Sequence, residues 1–333
     1  MNNNHQGISR TPAMAAVLFS ALLLAALLPL RLWQQLHLVE PGTGFWLGGG
    51  VTVPLLYAGL GILAAVPAGV AFLQRKRAAL DLTRKRRVIE GVTAALAAAA
   101  LAVDAVMAFS FALRLFSEAG GGGFGGMESR TSSPMEFYIR SGAMACVLES
   151  ITGLFSAVFF CQLAAVDFLP QKKIYLSRAL ALAPFAWAVC RILRRFSRTI
   201  AYLRVSDLFL GLAMLAALML FLLAFAQCVS GRYGGSKAAV LAAAGIPAAV
   251  LGLLCFVPRL VVYGILGQEA PPDALIEWCD PAMALFILAF VAGRLFTGPV
   301  REKTEEPEEE PEEEAVEDDT PAQEEPEEET EKE

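Results

Sequence analysis

Three ionisable residues interrupt long apolar stretches of the chain and are its first candidates for chemistry: Asp104, Glu149 and Arg191. A charge placed in hydrocarbon costs roughly 2.5–3.5 kcal/mol on insertion scales, so such residues usually face a partner or a cavity. At about 1.5 Å per helical residue, Asp104 and Glu149 lie roughly 12–13 Å below the same end of two predicted spans. Arg191 lies near the corresponding end of another span. The spacing predicts one shared cavity, which either handles a proton or ion or holds the helices together through buried ion pairs.

Arginines continue beyond Arg191 in a regular pattern. Arg191, Arg194, Arg195 and Arg198 follow one another at i, i+3, i+4 and i+7, which places all four on one helix face. A short cationic stripe at the end of an apolar segment is typical of a helix turn that grips phosphates at the membrane surface. The pattern therefore predicts that Arg194, Arg195 and Arg198 contact anions or lipid headgroups.

The usual catalytic motifs are missing from the sequence. Both histidines, His5 and His37, lie in polar segments near the N-terminus, and HExxH, GxSxG and GxxxxGK[ST] are absent. The six cysteines stand singly without a CxxC pair, which is typical of small buried apolar residues rather than of disulfides or a zinc site. We therefore expect no catalytic residue, no metal site and no cofactor.

Hydropathy determines the fold class. Of 333 residues, 56% are hydrophobic, which lies outside the range of soluble domains. The apolar segments predict an all-α integral membrane protein, a bundle of about eight transmembrane helices. The first segment is long for a signal peptide and lacks a clear cleavage site, so we interpret it as a retained span. The predicted spans are residues 13–30, 51–73, 91–113, 141–166, 174–196, 208–231, 238–258 and 279–297.

A basic loop between the second and third spans predicts which side of the membrane each segment faces. Short loops rich in Lys and Arg stay in the cytoplasm. With eight spans, the cytoplasmic parts hold 17 Lys/Arg against 10 outside; with the fifth and eighth segments lying on the inner face, the count is 21 against 6. Charge alone prefers six spans, but the acidic loop before the eighth segment fits the outside, so we favour eight. The loop bases are Arg75, Lys76, Arg77, Arg84, Lys85, Arg86 and Arg87.

The two ends of the chain are polar. Residues 1–12 form a short N-terminal segment, and residues 301–333 hold 19 acids and three bases in a Glu/Pro-rich tail. Such a tail cannot bury enough apolar surface to fold, so we expect it to be disordered. Both span counts place both termini in the cytoplasm. Residues 1–300 carry a net charge of +10, which favours contact of the membrane domain, residues 13–300, with anionic lipid headgroups.

The sequence leaves two main functions open. A permease or transporter-like protein for a small solute or ion is favoured by the buried charges and by Pro247 in the seventh span. The alternative is a non-catalytic membrane scaffold or regulatory subunit that acts through the basic loop and the acidic tail. A membrane-embedded lipid enzyme is the weakest third hypothesis. We expect a bacterial plasma membrane location and no nucleic-acid partner, while protein partners and the oligomeric state stay open.

Overall fold

The structure is a computed structural model, and it describes most of the membrane domain. Its contacts divide the chain into residues 1–300 and 301–333, and every described residue belongs to the first unit. Residues 1–10, bases 75–86 of the basic loop, Arg198 and the acidic tail lie outside the described residues. The described residues are 11–40, 47–48, 50–74, 87–120, 142–169, 177–197, 205–230, 235–268 and 276–295.

Helices make up the described part of the chain, so the predicted all-α class is confirmed. A 3-10 turn, Leu180–Leu182, leads into the fifth helix. Two helices continue into wider π-helical turns, Leu260–Ile265 after the seventh and Val291–Leu295 after the eighth. The helices are α1 Thr11–His37, α2 Thr52–Gln74, α3 Val88–Gly120, α4 Ala143–Phe168, α5 Ala183–Ser197, α6 Val205–Val229, α7 Gly235–Arg259 and α8 Cys279–Phe290.

Length and composition separate these helices into two groups. Six are long and apolar enough to cross a membrane, as in a multi-pass membrane protein. The helices α5 and α8 are shorter, with 15 and 12 residues before their adjoining turns are added. The six apolar segments are Ala15–His37, Thr52–Leu73, Val88–Ser117, Ala143–Phe168, Asp207–Val229 and Lys237–Ile265.

Small residues allow α3 and α4 to pack closely. Ala94, Ala97 and Ala98 are buried on the face of α3 that meets its neighbours. A Cβ atom added to Gly153 of α4 would lie 3.2 Å from the Cβ of Ala105. Glycine and alanine at such contacts let two backbones approach, which is the usual way that helices associate in membranes. This close pair holds Asp104 and Glu149 in adjacent helices.

Six phenylalanines fill the centre of the bundle and are called the aromatic layer. The ring centroids of Phe160 and Phe286 are 4.9 Å apart, and those of Phe225 and Phe290 are 5.0 Å apart, both in edge-to-face geometry. Aromatic pairs of this kind contribute about 0.5–1.5 kcal/mol beyond the area they bury. The layer therefore ties α4, α6 and α8 into one packed core. Its members are Phe159, Phe160, Phe221, Phe225, Phe286 and Phe290, all buried.

Candidate functional site

A network of arginines and carboxylates lies at one end of the aromatic layer, and we call it the first polar layer. Glu277, which precedes α8, is its centre because all three arginines of α5 donate to this one carboxylate. Arg194 donates at 3.0 Å and Arg195 at 2.7 Å, and Arg191 also pairs with Glu277. The members of the layer are Glu149, Arg191, Arg194, Arg195, Glu277 and Asp280.

Two further carboxylates complete this layer. Asp280 of α8 lies 2.7 Å from Arg191, whose guanidinium also stacks over the Trp187 ring at 5.1 Å from the centroid. Glu149 of α4 is fully buried, and its Oε2 lies 2.8 Å from Nε of Arg194. That last contact is ionic and lacks hydrogen-bond alignment, since neither oxygen of Glu149 has a hydrogen-bond partner among the described residues. The layer thus joins α4, α5 and α8.

Local sequence explains why these groups converge. The spacing of the arginines puts them on one face of α5, and Glu277 and Asp280 are three residues apart at the start of α8, where negative charge is favoured by the helix dipole. Burial opposes ionisation of Glu277, but Arg191, Arg195 and Arg194 outweigh it and hold the pKa of Glu277 well below its usual range. Glu277 is therefore a fixed negative charge around which α5 is anchored.

Asp104 adjoins this layer but does not join its ion pairs. Its Oδ2 atom is buried and has no hydrogen-bond partner among the residues that the structure describes. Asp104 instead lines a cavity of about 340 Å³ between α3, α5 and the residues that precede α8. Arg194 and Glu277 form the polar wall opposite α3. The other lining residues are Ala100, Val103, Val106, Met107, Ala108, Ser110, Phe111, Arg114, Ile276 and Trp278.

A second polar layer lies at the opposite end of the aromatic layer. Arg294 donates to Glu90 at 2.6 Å and to Asp167 at 2.8 Å. Arg87, the one base of the predicted loop that the structure describes, donates to Glu90 at 3.0 Å and to the carbonyl of Gly293 at 2.6 Å. These residues join the start of α3, the end of α4 and the π-helical turn after α8.

The distance between the two polar layers follows from the helices that contribute to both. On α4, Glu149 and Asp167 are separated by roughly 27 Å at about 1.5 Å per residue. From Asp280 to Arg294, the same rise gives roughly 21 Å. The hydrocarbon core of a bilayer is about 30 Å thick. The separation of the two layers is therefore close to the thickness of that core.

A third group of charges connects α1, α6 and α7. Arg31 donates to Asp207, and Nε of Arg259 lies 3.6 Å from the other oxygen of Asp207. Gln35 donates to the same carboxylate at 3.4 Å. None of these residues lines the cavity. The group fastens the first helix to the bundle.

The structure brings the predicted site residues together with different partners. Asp104, Glu149 and Arg191 do lie in one region, but Arg191 pairs with Glu277 and Asp280, whereas Glu149 pairs with Arg194. Arg194 and Arg195 have protein carboxylates where the sequence predicted anions or lipid headgroups, because the cationic face of α5 turns towards α4 and α8. Arg198 lies outside the described residues.

Sequence reasoning missed two of the four acids of this site, Glu277 and Asp280. Both belong to the acidic loop before the eighth segment, and their spacing of three residues matches one helix face. That spacing was the signal that could have found them. The second polar layer and the Asp207 group had no such signal, because their members are isolated charges at helix ends.

Neither a metal site nor a known relative assigns a function to this site. Among the described residues, no group of three or more His, Cys, Asp or Glu side chains could hold a metal ion. Comparisons with protein-family models, with curated proteins and with solved structures found no match to the chain. The candidate site is therefore described by its own geometry, a small cavity lined by Asp104 and by the ion-paired Arg194 and Glu277.

Proposed function

We propose that the chain is an eight-span plasma-membrane protein that binds a small solute or ion in the cavity at Asp104 and acts as a permease. Both termini are cytoplasmic in this proposal, and the cavity belongs to the outer half of the bilayer. The protein is not an enzyme in this view, and its cationic inner face contacts anionic lipid headgroups. The cavity is the observation on which the function depends.

The eight-span arrangement is supported by α8. This helix begins beside Asp280 in the first polar layer and, with its π-helical turn, ends beside Arg294 in the second. A helix that reaches both layers runs through the thickness of the bundle, whereas a helix lying on the inner face would touch only one. The arginines of α5 reach the first layer alone, at the end of the bundle opposite Arg87 of the basic loop.

Reporter fusions test the span count. A fusion after residue 233 is cytoplasmic with eight spans and external with six, because only the six-span arrangement leaves α5 on the inner face. Fusions after Arg86 and Lys303 should be cytoplasmic in both cases, and a fusion near Gly123 external, which makes them controls. An external reporter after residue 233 would end the eight-span proposal.

Solute binding is supported by the chemistry of the cavity. At about 340 Å³ it lies near the lower end of the ~300–1,000 Å³ range of small-molecule pockets. Charged groups at membrane depth usually mark a solute or ion pathway when they line a cavity rather than a closed contact. Asp104 meets that description, whereas Glu149 is enclosed behind Arg194.

Uptake into proteoliposomes tests the permease function. Purified full-length protein would be given mixtures of amino acids, sugars, organic cations and organic anions, and the vesicle contents would be analysed by mass spectrometry. We expect uptake of at least one class, reduced at least tenfold by Asp104→Asn. Thr93→Val is the control, because Thr93 lies on α3 outside the cavity and its hydroxyl donates to Ile89 of its own helix at 3.0 Å. No protein-dependent uptake of any class would contradict the proposal.

The aromatic layer favours the scaffold as the second candidate. Its six buried rings pack directly below the first polar layer, where a transport pathway would have to open. In a scaffold, this packing and the ion pairs would serve stability alone. Absence of uptake together with unchanged folding of Asp104→Asn would support the scaffold.

A further inference from the structure

Asp104 and the first polar layer together hold unequal charges, whereas the cavity itself is lined by two acids, Asp104 and Glu277, and two arginines, Arg114 and Arg194. Four carboxylates (Asp104, Glu149, Glu277 and Asp280) are grouped with three guanidinium groups from α5, and the ion pairs formed by those arginines go to the last three carboxylates. Asp104 is therefore the carboxylate that the first polar layer leaves over among the described residues. The buried Oδ2 atom of Asp104 likewise has no hydrogen-bond partner among the described residues.

The other walls of the cavity are largely apolar. Val103, Met107 and Phe111 lie along α3 on the same side as Asp104, and Ile276 and Trp278 face them from the start of α8. The side chains of Val103 and Met107 are 51% and 60% exposed, so this wall of the cavity continues onto the outer surface of the bundle. A ligand can thus keep an apolar body against α3 while it places one charge at Asp104.

We propose that the cavity binds a small organic monocation, a primary ammonium group on an apolar body, with Asp104 as its counter-ion. The proposal rests on the solute-binding function proposed above and names its ligand class. The ammonium supplies to Asp104 the positive charge that the arginines supply to the other three carboxylates. The aromatic rings of Phe111 and Trp278 add the kind of surface on which organic cations bind.

Other small ions fit the cavity less well. A Ca²⁺ or Mg²⁺ ion requires about six oxygen ligands, whereas the lining offers the carboxylate of Asp104, the hydroxyl of Ser110 and the carboxylate of Glu277, which already accepts from three arginines. An organic anion would need a guanidinium without a carboxylate partner, but Arg194 is held by Glu149 and Glu277. Arg114 also lines the cavity, with its Cα roughly 15 Å from that of Asp104 along the axis of α3, so the carboxylate probe described below tests binding of an anion directly.

Three probes with the same ring and chain length test the charge of the ligand. The full-length protein in nanodiscs of zwitterionic lipid would be titrated with 2-phenylethylammonium, 2-phenylethanol and 3-phenylpropionate by isothermal calorimetry, with empty nanodiscs as blank. We expect the ammonium to bind at least tenfold more tightly than the alcohol and the carboxylate. Asp104→Asn should reduce its affinity at least tenfold, and Thr93→Val, which is on α3 but outside the cavity, should leave it within about twofold. Equal binding of ammonium and alcohol, tighter binding of the carboxylate, or unchanged affinity in Asp104→Asn would overturn the proposal.

The two proposals can fail separately. If uptake of some solute depends on Asp104 while the ammonium shows no preference, the permease function stands and the ligand class is wrong. If the ammonium binds at Asp104 without any uptake, the ligand class stands and the permease function is wrong. Thermal unfolding of Asp104→Asn in the same nanodiscs shows whether the variant is folded. If it is not, Asp104→Glu replaces it, because a longer carboxylate keeps the charge and should retain the preference for ammonium over alcohol.

Discussion

Replacement of Glu277 by glutamine is the sharpest test of the first polar layer. The amide keeps the shape of the side chain but removes the charge that three arginines share. Each hydrogen bond to a charged group contributes about 1.5–3 kcal/mol, and breaking a buried ion pair costs about 3–5 kcal/mol. Bonds that meet on one carboxylate are not additive. We therefore expect Glu277→Gln to lower the free energy of unfolding by about 3–5 kcal/mol rather than by the sum of three bonds.

Reversible unfolding in mixed micelles of SDS and a mild detergent measures this change. Ser110→Ala is the control, since a hydroxyl bonded within its own helix should change the free energy of unfolding by less than about 0.5 kcal/mol. A loss below about 1 kcal/mol for Glu277→Gln would show that the arginines find equivalent partners in water or in other carboxylates.

A double-mutant cycle with Arg195→Met separates the ion pair from other effects of the substitution. Arg195 lies 2.7 Å from Glu277, and in the wild-type background its removal breaks that pair. In the Glu277→Gln background the same change removes a guanidinium that has already lost its counter-ion, so the second loss should be smaller. We expect a coupling energy of about 1–3 kcal/mol. A coupling within about 0.5 kcal/mol of zero would refute the central role of Glu277.

Three further predictions concern pH, the second polar layer and the aromatic layer. The pKa of Glu277 is lower in the folded protein than the ordinary glutamate pKa of about 4.3. Its contribution to the free energy of unfolding is therefore complete above that ordinary pKa and is lost as the pH falls towards the pKa of the folded state. The stability difference between wild type and Glu277→Gln should thus be constant from about pH 8 to 5; a decrease near neutral pH would contradict this. Arg294→Met should destabilise the protein by about 3–5 kcal/mol in the same assay, since Glu90 and Asp167 lose a shared partner, whereas Thr93→Val on the adjacent turn should change little. Gly245→Ala should lower the free energy of unfolding by about 1–3 kcal/mol, because the new Cβ would lie 2.8 Å from Phe221. Gly61→Ala is the control, since its Cβ would have no neighbour within 4 Å. Equal stability of the two variants would show that the aromatic layer rearranges to accept the new methyl group.

The hydropathy of the sequence predicted which segments form helices better than it predicted which charged side chains pair between those helices. An apolar run longer than about 18 residues identifies a potential span without reference to any other part of the chain. The helices α5 and α8 have only 15 and 12 residues, so they do not meet that test by themselves. Their charged residues pair with residues of other helices, which the test does not consider. Arg191 could be placed on a face with Arg194 and Arg195 from spacing alone.

Partner choice could not be predicted because it depends on which helices are neighbours. Glu149 and Arg191 were both expected in one region, but the sequence does not say that Glu277 lies between the arginines. In the second polar layer, Arg294 meets Glu90 across 204 positions of the chain, and no periodicity connects two isolated charges. The cavity at Asp104 likewise arises from the approach of α3, α5 and the start of α8.

The position of Glu277 in the chain has a consequence for biosynthesis. Arg191 precedes Glu277 by 86 residues, so α5 leaves the ribosome well before its main counter-ion exists. At about 5–20 residues per second, translation of that interval takes on the order of 4–17 seconds. During this time the arginines have Glu149 as the one acid of their layer that is already made, and α5 is a poor substrate for insertion by itself. In the eight-span arrangement, we therefore expect α5 to wait in the translocon, with an insertase or at the bilayer surface, until α8 emerges and the two helices enter the bundle as a pair.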